Sequence, residues 1–310
     1  MYQVPDQSGR SVVITGANSG TGKEAATRLA GAGARVIMAV RTPEKGEAAK
    51  AEILRTFPDA RLEVRRIDLA DLGSVRSFAQ ELLDERAPIN VLINNAGVMM
   101  PPKRNTTTDG FELQFGSNFL GPFALTNLML PLLLAADAPR VATMSSGLAS
   151  QGKIHFADLQ HANRYRSLSA YSQSKLADLL MAQHLAKVST ERGWGLLSTS
   201  AHPGYTRTNL QKAGPNLGRA RPRPLLRSGF TLVPSQAVEQ GAEPILFAAA
   251  DPAAKQGAYY GPKRMGLVGP TTTVKLPRSA HGIDLAASLW SIAEDLTGTT
   301  LPHQSLVAHS

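Results

Sequence analysis

Tyr171 and Lys175 stand four residues apart in a stretch with helical periodicity, Ala170–Arg192. Side chains at positions i and i+4 leave the same face of a helix, so the phenol and the ammonium are expected to be neighbours. A tyrosine with its ordinary pKa of about 10 is a poor acid or base at neutral pH, but a nearby ammonium favours the phenolate and lowers that pKa. The pair therefore predicts proton transfer at a substrate oxygen.

A glycine-rich segment, Thr15–Gly22, lies between the first strand-like run and the first helix-like stretch. Its glycines allow a sharp turn and a close approach to a pyrophosphate, and the following helix offers its free amides to the phosphates. A plain strand-to-helix turn is the alternative, because a glycine loop alone is a weak signal. A Walker loop is excluded, since Ala17 and Glu24 stand where its first glycine and its closing serine or threonine would be.

The second strand-like run ends at Val40-Arg41-Thr42, about where a Rossmann domain places a carboxylate for the adenosine ribose. No acid stands there, and Glu44 comes later, inside the next helix-like stretch. An arginine can pair with a 2′-phosphate, so Arg41 favours NADP over NAD. A surface arginine without this role is the alternative.

Three motifs in fixed order resemble the short-chain dehydrogenase/reductase family: the glycine loop, Asn94-Asn95-Ala96-Gly97 after the fourth strand, and Tyr171-Ser172-Gln173-Ser174-Lys175. The resemblance covers nearly the whole chain. It implies a Rossmann fold and hydride transfer between a nicotinamide and a carbonyl or secondary alcohol.

The resemblance also implies roles for four catalytic residues. Tyr171 would exchange the proton, and Lys175 would tune Tyr171 and hold the nicotinamide ribose. Ser146, the second of two serines after the fifth strand, would hydrogen-bond the substrate oxygen. Asn118 would support a water-mediated proton path to Lys175.

Cofactor contacts are expected in the glycine loop, at Arg41 and, by resemblance, after the other strands. Asp68 and Leu69 match positions that contact adenine, Pro203-Gly204 matches a segment beside the nicotinamide, and Thr206 and Thr208 are candidates for the carboxamide or the phosphates. The full set is Gly16, Asn18, Ser19, Gly20, Thr21, Gly22, Arg41, Asp68, Leu69, Asn95, Ala96, Gly97, Tyr171, Lys175, Pro203, Gly204, Thr206 and Thr208.

The spacing between Ser146 and Tyr171 is longer than is usual in the family. The extra residues include Gly152–Leu159 and, with Leu289–Gly298 near the end, resemble the retinol-dehydrogenase-like and protochlorophyllide-reductase-like branch. The chain has no cysteine, which the light-driven reductase uses, and we expect it to lack the membrane helix of many retinol enzymes. Neither substrate is therefore carried over.

Strand-like apolar runs alternate with helix-like segments along the chain. The strands are expected at Ser11–Thr15, Arg35–Val40, Leu62–Ile67, Ile89–Ile93, Val141–Met144 and Leu196–Ala201. The helices are expected at Gly22–Ala32, Glu44–Phe57, Leu72–Arg86, Phe111–Ala135 and Ala170–Arg192, with a later pair, Gln236–Ala250 and Leu285–Leu296, flanking a short strand at Ala258–Tyr260. This alternation predicts an α/β fold with a doubly wound parallel sheet in a single domain, 1–310.

A stretch rich in proline, glycine and arginine, 209–230, is expected to be a mobile substrate lid, and 262–310 a C-terminal extension. A solvated loop without a role is the alternative for the lid. Apolar side chains there and at Met99 favour an apolar substrate, whereas the arginines favour an acidic group; both readings stay open.

Composition narrows the function classes. With 43% hydrophobic and 18% charged residues, the chain is typical of a soluble globular protein. The absence of cysteine excludes disulfides and thiolate metal sites, and no histidine stands at metal-ligand spacing, so no metal is expected. The net charge of +9 comes with only 5% aromatic residues and no nucleic-acid-binding signature, so no nucleic-acid partner is expected.

The amino terminus has no signal-peptide pattern, and the longest apolar run, Leu128–Ala136, is too short for a membrane span. We therefore expect a cytoplasmic protein without an integral membrane anchor, acting on a small molecule. A homodimer is expected through the helices that hold Asn118 and Tyr171, unless the insertion after Ser146 blocks that face. The apolar side chains considered for it are Phe123, Leu128, Leu179, Leu180 and Met181.

Two other function classes share parts of this pattern. A nucleotide-sugar epimerase has the cofactor loop and the Tyr–Lys pair, but normally needs a longer substrate domain and binds NAD. An NADP-sensing regulator usually loses the tyrosine or the lysine, and both are present here.

Overall fold

The computed structural model describes residues 1–207, 214–217, 234–282 and 284–302 and contains one eight-stranded sheet, whose strands Ser11–Thr15, Arg35–Val40 and Val91–Asn94 are buried runs rich in valine, isoleucine and alanine. The strands are β1 Ser11–Thr15, β2 Arg35–Val40, β3 Arg61–Arg66, β4 Val91–Asn94, β5 Arg140–Met144, β6 Leu197–Ala201, β7 Tyr259–Arg264 and β8 Val268–Val274. Their order is β3-β2-β1-β4-β5-β6-β7-β8, and every neighbouring pair is parallel except β7 and β8. The predicted doubly wound Rossmann fold is confirmed.

Helices cover both faces of this sheet, because successive strand residues point to opposite sides. They are α1 Gly20–Gly31, α2 Pro43–Thr56, α3 Leu72–Glu85, α4 Leu113–Leu134, α5 Ser167–Glu191, α6 Val238–Gly241, α7 Glu243–Ala250 and α8 Leu285–Thr297. One core contains α1, α2 and α7 with sheet residues such as Val12 and Ile14. The other contains α3, α4, α5 and α8 with residues such as Val13 and Leu92.

Helix α4 departs from regular α-helical geometry at one point. Leu113–Phe115 is α-helical, Gly116–Leu120 forms a single π-helical turn, and the α-helix resumes at Gly121. Such turns carry one extra residue and are frequent at functional sites. The turn contains Asn118.

Strand β8 was not predicted from the sequence. It is the last strand at one edge of the sheet, pairs antiparallel with β7, and none of its residues is fully buried. Its glycine, proline and three threonines do not form an apolar run, so the signal that identified the central strands is absent here.

Helix α4 is long and apolar enough to cross a membrane by length and composition, but 83% of its most apolar window is buried inside the protein. It lies in the core and contacts both α3 and α5. In the part of the chain that the structure describes, it is the one helix that meets this criterion.

Helix α8, in the C-terminal extension, packs against α4 and α5. The Trp290 ring lies 4.7 Å from Phe123 and 4.8 Å from His184, centroid to centroid. Phe123, Leu179, Leu180 and Met181, which were considered for a dimer interface, are all buried within one chain, and Leu128 is partly buried. The expectation that they form an open apolar face was therefore wrong, because α8 and the core already cover them.

Thr208 and most of the expected lid, 209–230, lie outside the described residues. Within that range the structure describes a short 3-10 turn, Gly214–Asn216, and Leu217. Gly214 lies against the backbone of Met99, where a Cβ atom would overlap the Met99 carbonyl. This contact brings the segment beside the end of β4.

Candidate functional site

The predicted site residues meet at the carboxyl ends of the central strands. The order reverses between β1 and β4, where one half of the sheet runs outward to β3 and the other outward to β8. Loops that leave such a reversal diverge and open a crevice, which is where ligands bind in open parallel sheets. The glycine loop follows β1, Asn95-Ala96-Gly97 follows β4, and Ser146 follows β5.

The glycine loop needs its glycines for conformation and for space. Gly16 and Gly20 have φ angles of +69° and +56°, in the left-handed region that favours glycine. Gly22 has no room for a side chain, since a Cβ atom there would overlap both the Gly16 carbonyl and Nδ2 of Asn95. The loop is thereby held close to the end of β4.

Asn95 fixes this loop through its side chain. Its Nδ2 donates to the Thr15 carbonyl at 3.0 Å, and its Oδ1 accepts from Thr21 Oγ1 at 2.8 Å. The backbone N–H groups of Asn95 and Ala96 both donate to Thr15 Oγ1 at 3.0 Å. Asn95 was predicted to contact the cofactor, and the structure shows that its side chain holds the loop in place.

The beginning of α1 fits a phosphate group. Ser19, at the N-cap, makes no capping hydrogen bond with its side chain, and the first turn contains no acidic residue. The first-turn amides of a helix lack intrahelical partners and carry the positive end of the helix dipole. With the glycine cradle beside them, the residues present fit the pyrophosphate of a dinucleotide.

The candidate adenosine residues lie together at the ends of β2 and β3. The Ile67 amide donates to the Val40 carbonyl at 2.9 Å, which places Arg41 and Asp68 side by side at the carboxyl ends of β2 and β3. Arg41 is exposed and, among the described residues, forms no salt bridge. Asp68 accepts from the Ala70 amide at 3.0 Å, and Leu69 is buried. The Arg41 guanidinium is therefore available to an anionic ligand.

Tyr171 and Lys175 lie on one face of α5, as predicted, and both are buried. Ser146 lies beside Tyr171, since its hydroxyl lowers the pKa of the phenol, and its Oγ accepts from the Leu148 amide at 3.2 Å. Ser146 remains half-buried, so it lies at the entrance to the buried pair. The three residues together present hydroxyl and ammonium donors in one cleft.

The pKa of Tyr171 is raised above its usual value, mainly because burial disfavours the phenolate. The charge of Lys175 and the nearby Ser146 hydroxyl lower the pKa of Tyr171, and the charge of Asp178 raises it. Lys175 therefore lowers the pKa of Tyr171, as predicted. The predicted net lowering of that pKa was wrong, because the effect of burial exceeds the effect of the ammonium.

Asn118 in the π-helical turn joins β4 to α5. Its Oδ1 accepts from the Val98 amide at 2.7 Å, and its Nδ2 donates to the Val98 carbonyl at 3.0 Å and to Ser174 Oγ at 2.9 Å. A Cβ atom on Gly97 would lie 3.1 Å from Asn118 Oδ1 and 3.6 Å from Lys175 Nζ. Asn118 therefore lies beside Lys175, while the water-mediated path stays a prediction.

The structure adds a carboxylate that sequence reasoning missed. Lys175 Nζ donates to Asp178 Oδ2 at 2.7 Å and to the Met144 carbonyl at 2.9 Å. Burial raises the pKa of Asp178 to about 7, while the charge of Lys175 opposes that shift. A signal existed, since Asp178 is the one charged residue in the apolar run after Lys175, Leu176–Ala182.

The segment after β6 folds back on itself beside the site. The Gly204 amide donates to His202 Nδ1 at 3.3 Å, and Gly204 has a φ angle of +63°. Thr206 Oγ1 donates to the Pro203 carbonyl. Burial lowers the pKa of His202 to about 4, so its ring is neutral near pH 7. The histidine thus supports the Pro203-Gly204 turn.

The insertion after Ser146 packs on α5 next to Tyr171. Gln173, which is buried, accepts from the His155 amide at 3.0 Å and donates to the Leu159 carbonyl at 2.9 Å. Gly152 lies against α5, where a Cβ atom would overlap the Ser172 carbonyl. The insertion therefore forms one wall near the site. Among the described residues no group of three metal-ligating side chains comes together.

Comparison with known proteins places the chain in a family. The sequence profile of the family described as short chain dehydrogenase matches residues 10–216. Retinol dehydrogenase 14 of Mus musculus is 38% identical over 306 residues, covering 94% of this chain and 86% of the relative. Retinol dehydrogenase 12 of Mus musculus is 46% identical over 210 residues, covering 68% of this chain but only 65% of the relative.

Solved structures agree with this placement. An uncharacterized protein from Mycobacterium paratuberculosis is 41% identical with a TM-score of 0.79, and the match covers 97% of both chains. A structure from Beutenbergia cavernae, described as an NAD(P)-dependent gluconate 5-dehydrogenase with NADP bound at low occupancy, is 26% identical with a TM-score of 0.63; the match covers 82% of this chain and 95% of that one. The chain belongs to the short-chain dehydrogenase/reductase family of oxidoreductases, in its retinol-dehydrogenase-like branch.

Proposed function

We propose that the protein is an NADP-dependent oxidoreductase that interconverts a carbonyl and a secondary or primary alcohol on a mostly apolar small molecule. The observation that carries the proposal is the buried Tyr171–Lys175 pair, with Ser146 beside it and a glycine cradle that fits a dinucleotide next to it. The NADP bound by the Beutenbergia cavernae structure and the names of the retinol dehydrogenases support the cofactor and the apolar substrate class.

The residues that would hold the cofactor follow from the geometry of the cradle. The amides at the start of α1 and the loop glycines would bind the pyrophosphate, and Arg41 would pair with the 2′-phosphate. The bound nicotinamide supplies or accepts the hydride. The remaining chemistry belongs to the protein's own side chains.

Tyr171 holds the proton that the substrate oxygen gains or loses. Because burial raises its pKa, Tyr171 is a phenol at neutral pH and is ready to protonate an alkoxide. The Ser146 hydroxyl would hydrogen-bond the same substrate oxygen and stabilise the charge that develops there. Lys175 supplies a positive charge that favours the phenolate left after the transfer.

A panel of carbonyl compounds and alcohols tests the proposal, including retinal and retinol as apolar members. Turnover is followed in both directions by nicotinamide absorbance with NADP(H) and with NAD(H). We expect net oxidation or reduction of the nicotinamide with apolar members of the panel. An epimerase would convert substrate without net change in absorbance, and a non-catalytic sensor would bind NADP(H) without turnover.

The substitution Tyr171→Phe should abolish hydride transfer while NADP binding stays nearly unchanged, because only the proton-bearing hydroxyl is removed. Tyr260→Phe is the matched control: the Tyr260 hydroxyl accepts from the Lys255 amide, in the core on the other face of the sheet. Substantial turnover by Tyr171→Phe would overturn its role as proton donor.

A cytoplasmic location of the protein stays a prediction.

A further inference from the structure

A second buried charge lies behind the catalytic pair. Lys175 and Asp178 form an ion pair whose side chains are only 4% and 1% exposed. Asp178 is one helical turn beyond Lys175 and contacts it through Oδ2; its Oδ1 has no hydrogen-bond partner in the part of the chain that the structure describes. Such a carboxylate is costly to bury unless its partner stays charged.

We infer that Asp178 is a positioning residue, which holds the Lys175 ammonium at the site and keeps it charged. The inference rests on the proposed function and deepens it, since Asp178 would act on the reaction only through Lys175. The site would then consist of Asn118, Ser146, Tyr171 and Lys175, with Asp178 as their internal counter-charge.

The first argument is geometric. An ammonium has three N–H donors. Two of them are fixed, one by Asp178 Oδ2 at 2.7 Å and one by the Met144 carbonyl at 2.9 Å. These two bonds restrict the rotation of Nζ, so the third donor has a set direction. Gly97, whose missing side chain leaves space beside Nζ, faces the same atom.

The second argument is electrostatic. The charge of Asp178 raises the pKa of Lys175 against the effect of burial, and it also raises the pKa of Tyr171. Among the described residues, the other titratable neighbour is Tyr259 on β7, which interacts with Tyr171. His202 packs on Tyr259 and is neutral near pH 7, and the contacts from β5 and α4 are the uncharged Met144 and Asn118.

The sign of the effect on catalysis follows. A negative charge at Asp178 opposes ionisation of Tyr171 and favours protonation of Lys175, so removing it should lower both pKa values. In the oxidative direction, turnover rises as Tyr171 loses its proton and falls as Lys175 loses its own. Both limbs of the profile of turnover against pH should therefore move to lower pH when Asp178 is neutralised.

The test is the pH dependence of kcat/KM for alcohol oxidation by Asp178→Asn, which keeps the shape of the side chain and an acceptor for Lys175. We expect both limbs to shift by about one pH unit or more toward lower pH. The matched control is Glu243→Gln: Glu243 is also a buried carboxylate, but it accepts from the Tyr2 amide in the other core. If Asp178→Asn lowers kcat/KM but the limbs of its pH profile stay at the pH values of the parent protein, the inference is overturned.

A stability measurement makes the test independent of turnover. Lys175→Met leaves the Asp178 carboxylate buried without its partner, and adding Asp178→Asn removes that charge. We expect the double variant to unfold at a higher urea concentration than Lys175→Met alone. A double variant that is equally or less stable would overturn the inference, even where Asp178→Asn by itself does not fold.

The two failures are distinguishable. If the proposed function is wrong, the parent protein shows no turnover with the panel, yet the stability coupling between Lys175 and Asp178 persists. If only the inference is wrong, the parent protein is active, and either the limbs of the Asp178→Asn profile coincide with those of the parent or the stability coupling is missing.

Discussion

At the scale of single residues, Arg41 is the side chain that should choose between the two nicotinamide cofactors. It directly follows β2, is exposed, and lies beside Asp68 at the carboxyl ends of β2 and β3. A charge-assisted contact with a 2′-phosphate contributes about 1.5–3 kcal/mol, and solvent screening at an exposed site favours the lower end. Arg41→Asp should therefore lower the NADP/NAD ratio of specificity constants roughly tenfold or more.

The control for this prediction makes the same change of charge elsewhere on the same helix–strand unit. Arg55 is exposed in the last turn of α2, about 18 Å along that helix from its first residue, Pro43. Arg55→Asp should leave the ratio unchanged. An unchanged ratio in Arg41→Asp as well would remove Arg41 from cofactor recognition.

Tyr171 and Asp178 mark what single-residue patterns reveal and what they do not. The spacing of Tyr171 and Lys175 within a helical stretch was sufficient to place both on one face, and the structure confirms it. The net pKa of Tyr171 was not predictable, because it depends on burial, which no local pattern states. Asp178 was overlooked since a lone aspartate in a helix resembles a solvated residue until its neighbours are known to be buried.

At the scale of elements, the turn from β1 to α1 depends on Gly22 lying against Asn95. A methyl group at this position would overlap a backbone carbonyl and an amide that already holds the loop. Gly22→Ala should therefore displace the loop and raise the Kd for NADP at least tenfold. Isothermal titration calorimetry measures this Kd. The protein should still fold, because Gly22 lies beyond the carboxyl ends of β1 and β4 and belongs to neither hydrophobic core.

Gly73→Ala provides the comparison within another helix. Gly73 is in the first turn of α3, where a Cβ atom would meet only the Asp71 carboxylate, at 3.1 Å. NADP affinity should be unchanged in this variant. Unaltered affinity in Gly22→Ala would contradict a cradle that depends on the close approach of α1 to β4.

The central elements were predictable because they are buried on both faces. The runs Ser11–Thr15 and Arg35–Val40 agree with β1 and β2 residue for residue. The edge strand β8 was missed, and so was the π-helical turn, since one extra residue in a helix leaves the apolar pattern on both sides intact. These features depend on tertiary contacts, which local sequence does not encode.

At the scale of the whole molecule, α8 completes the core that supports the site. Trp290 is 4% exposed and packs on Phe123 of α4 and His184 of α5. Trp290→Ala should lower the free energy of unfolding by about 3–5 kcal/mol, as large aromatic truncations in cores do. Urea denaturation measures this loss.

Met265→Ala serves as the reference, since Met265 is 88% exposed and should contribute little. A small effect of Trp290→Ala would mean that α8 is peripheral to the fold. Because Phe123, Leu179, Leu180 and Met181 are buried within one chain, these four side chains are not available to a homodimer, which stays a prediction.

The π-helical turn at Gly116–Leu120 fixes the phase of α4. Each residue of an α-helix advances the direction of its side chain by about 100°, so one extra residue rotates everything before it relative to everything after it. Here that offset lets Asn118 face Val98 and Ser174 while Phe123, further along, faces Trp290. Deleting a single residue from the turn would give a more regular helix that cannot satisfy both contacts at once. The number of residues in this turn is therefore a structural requirement in its own right, separate from the identity of the side chains that the turn carries.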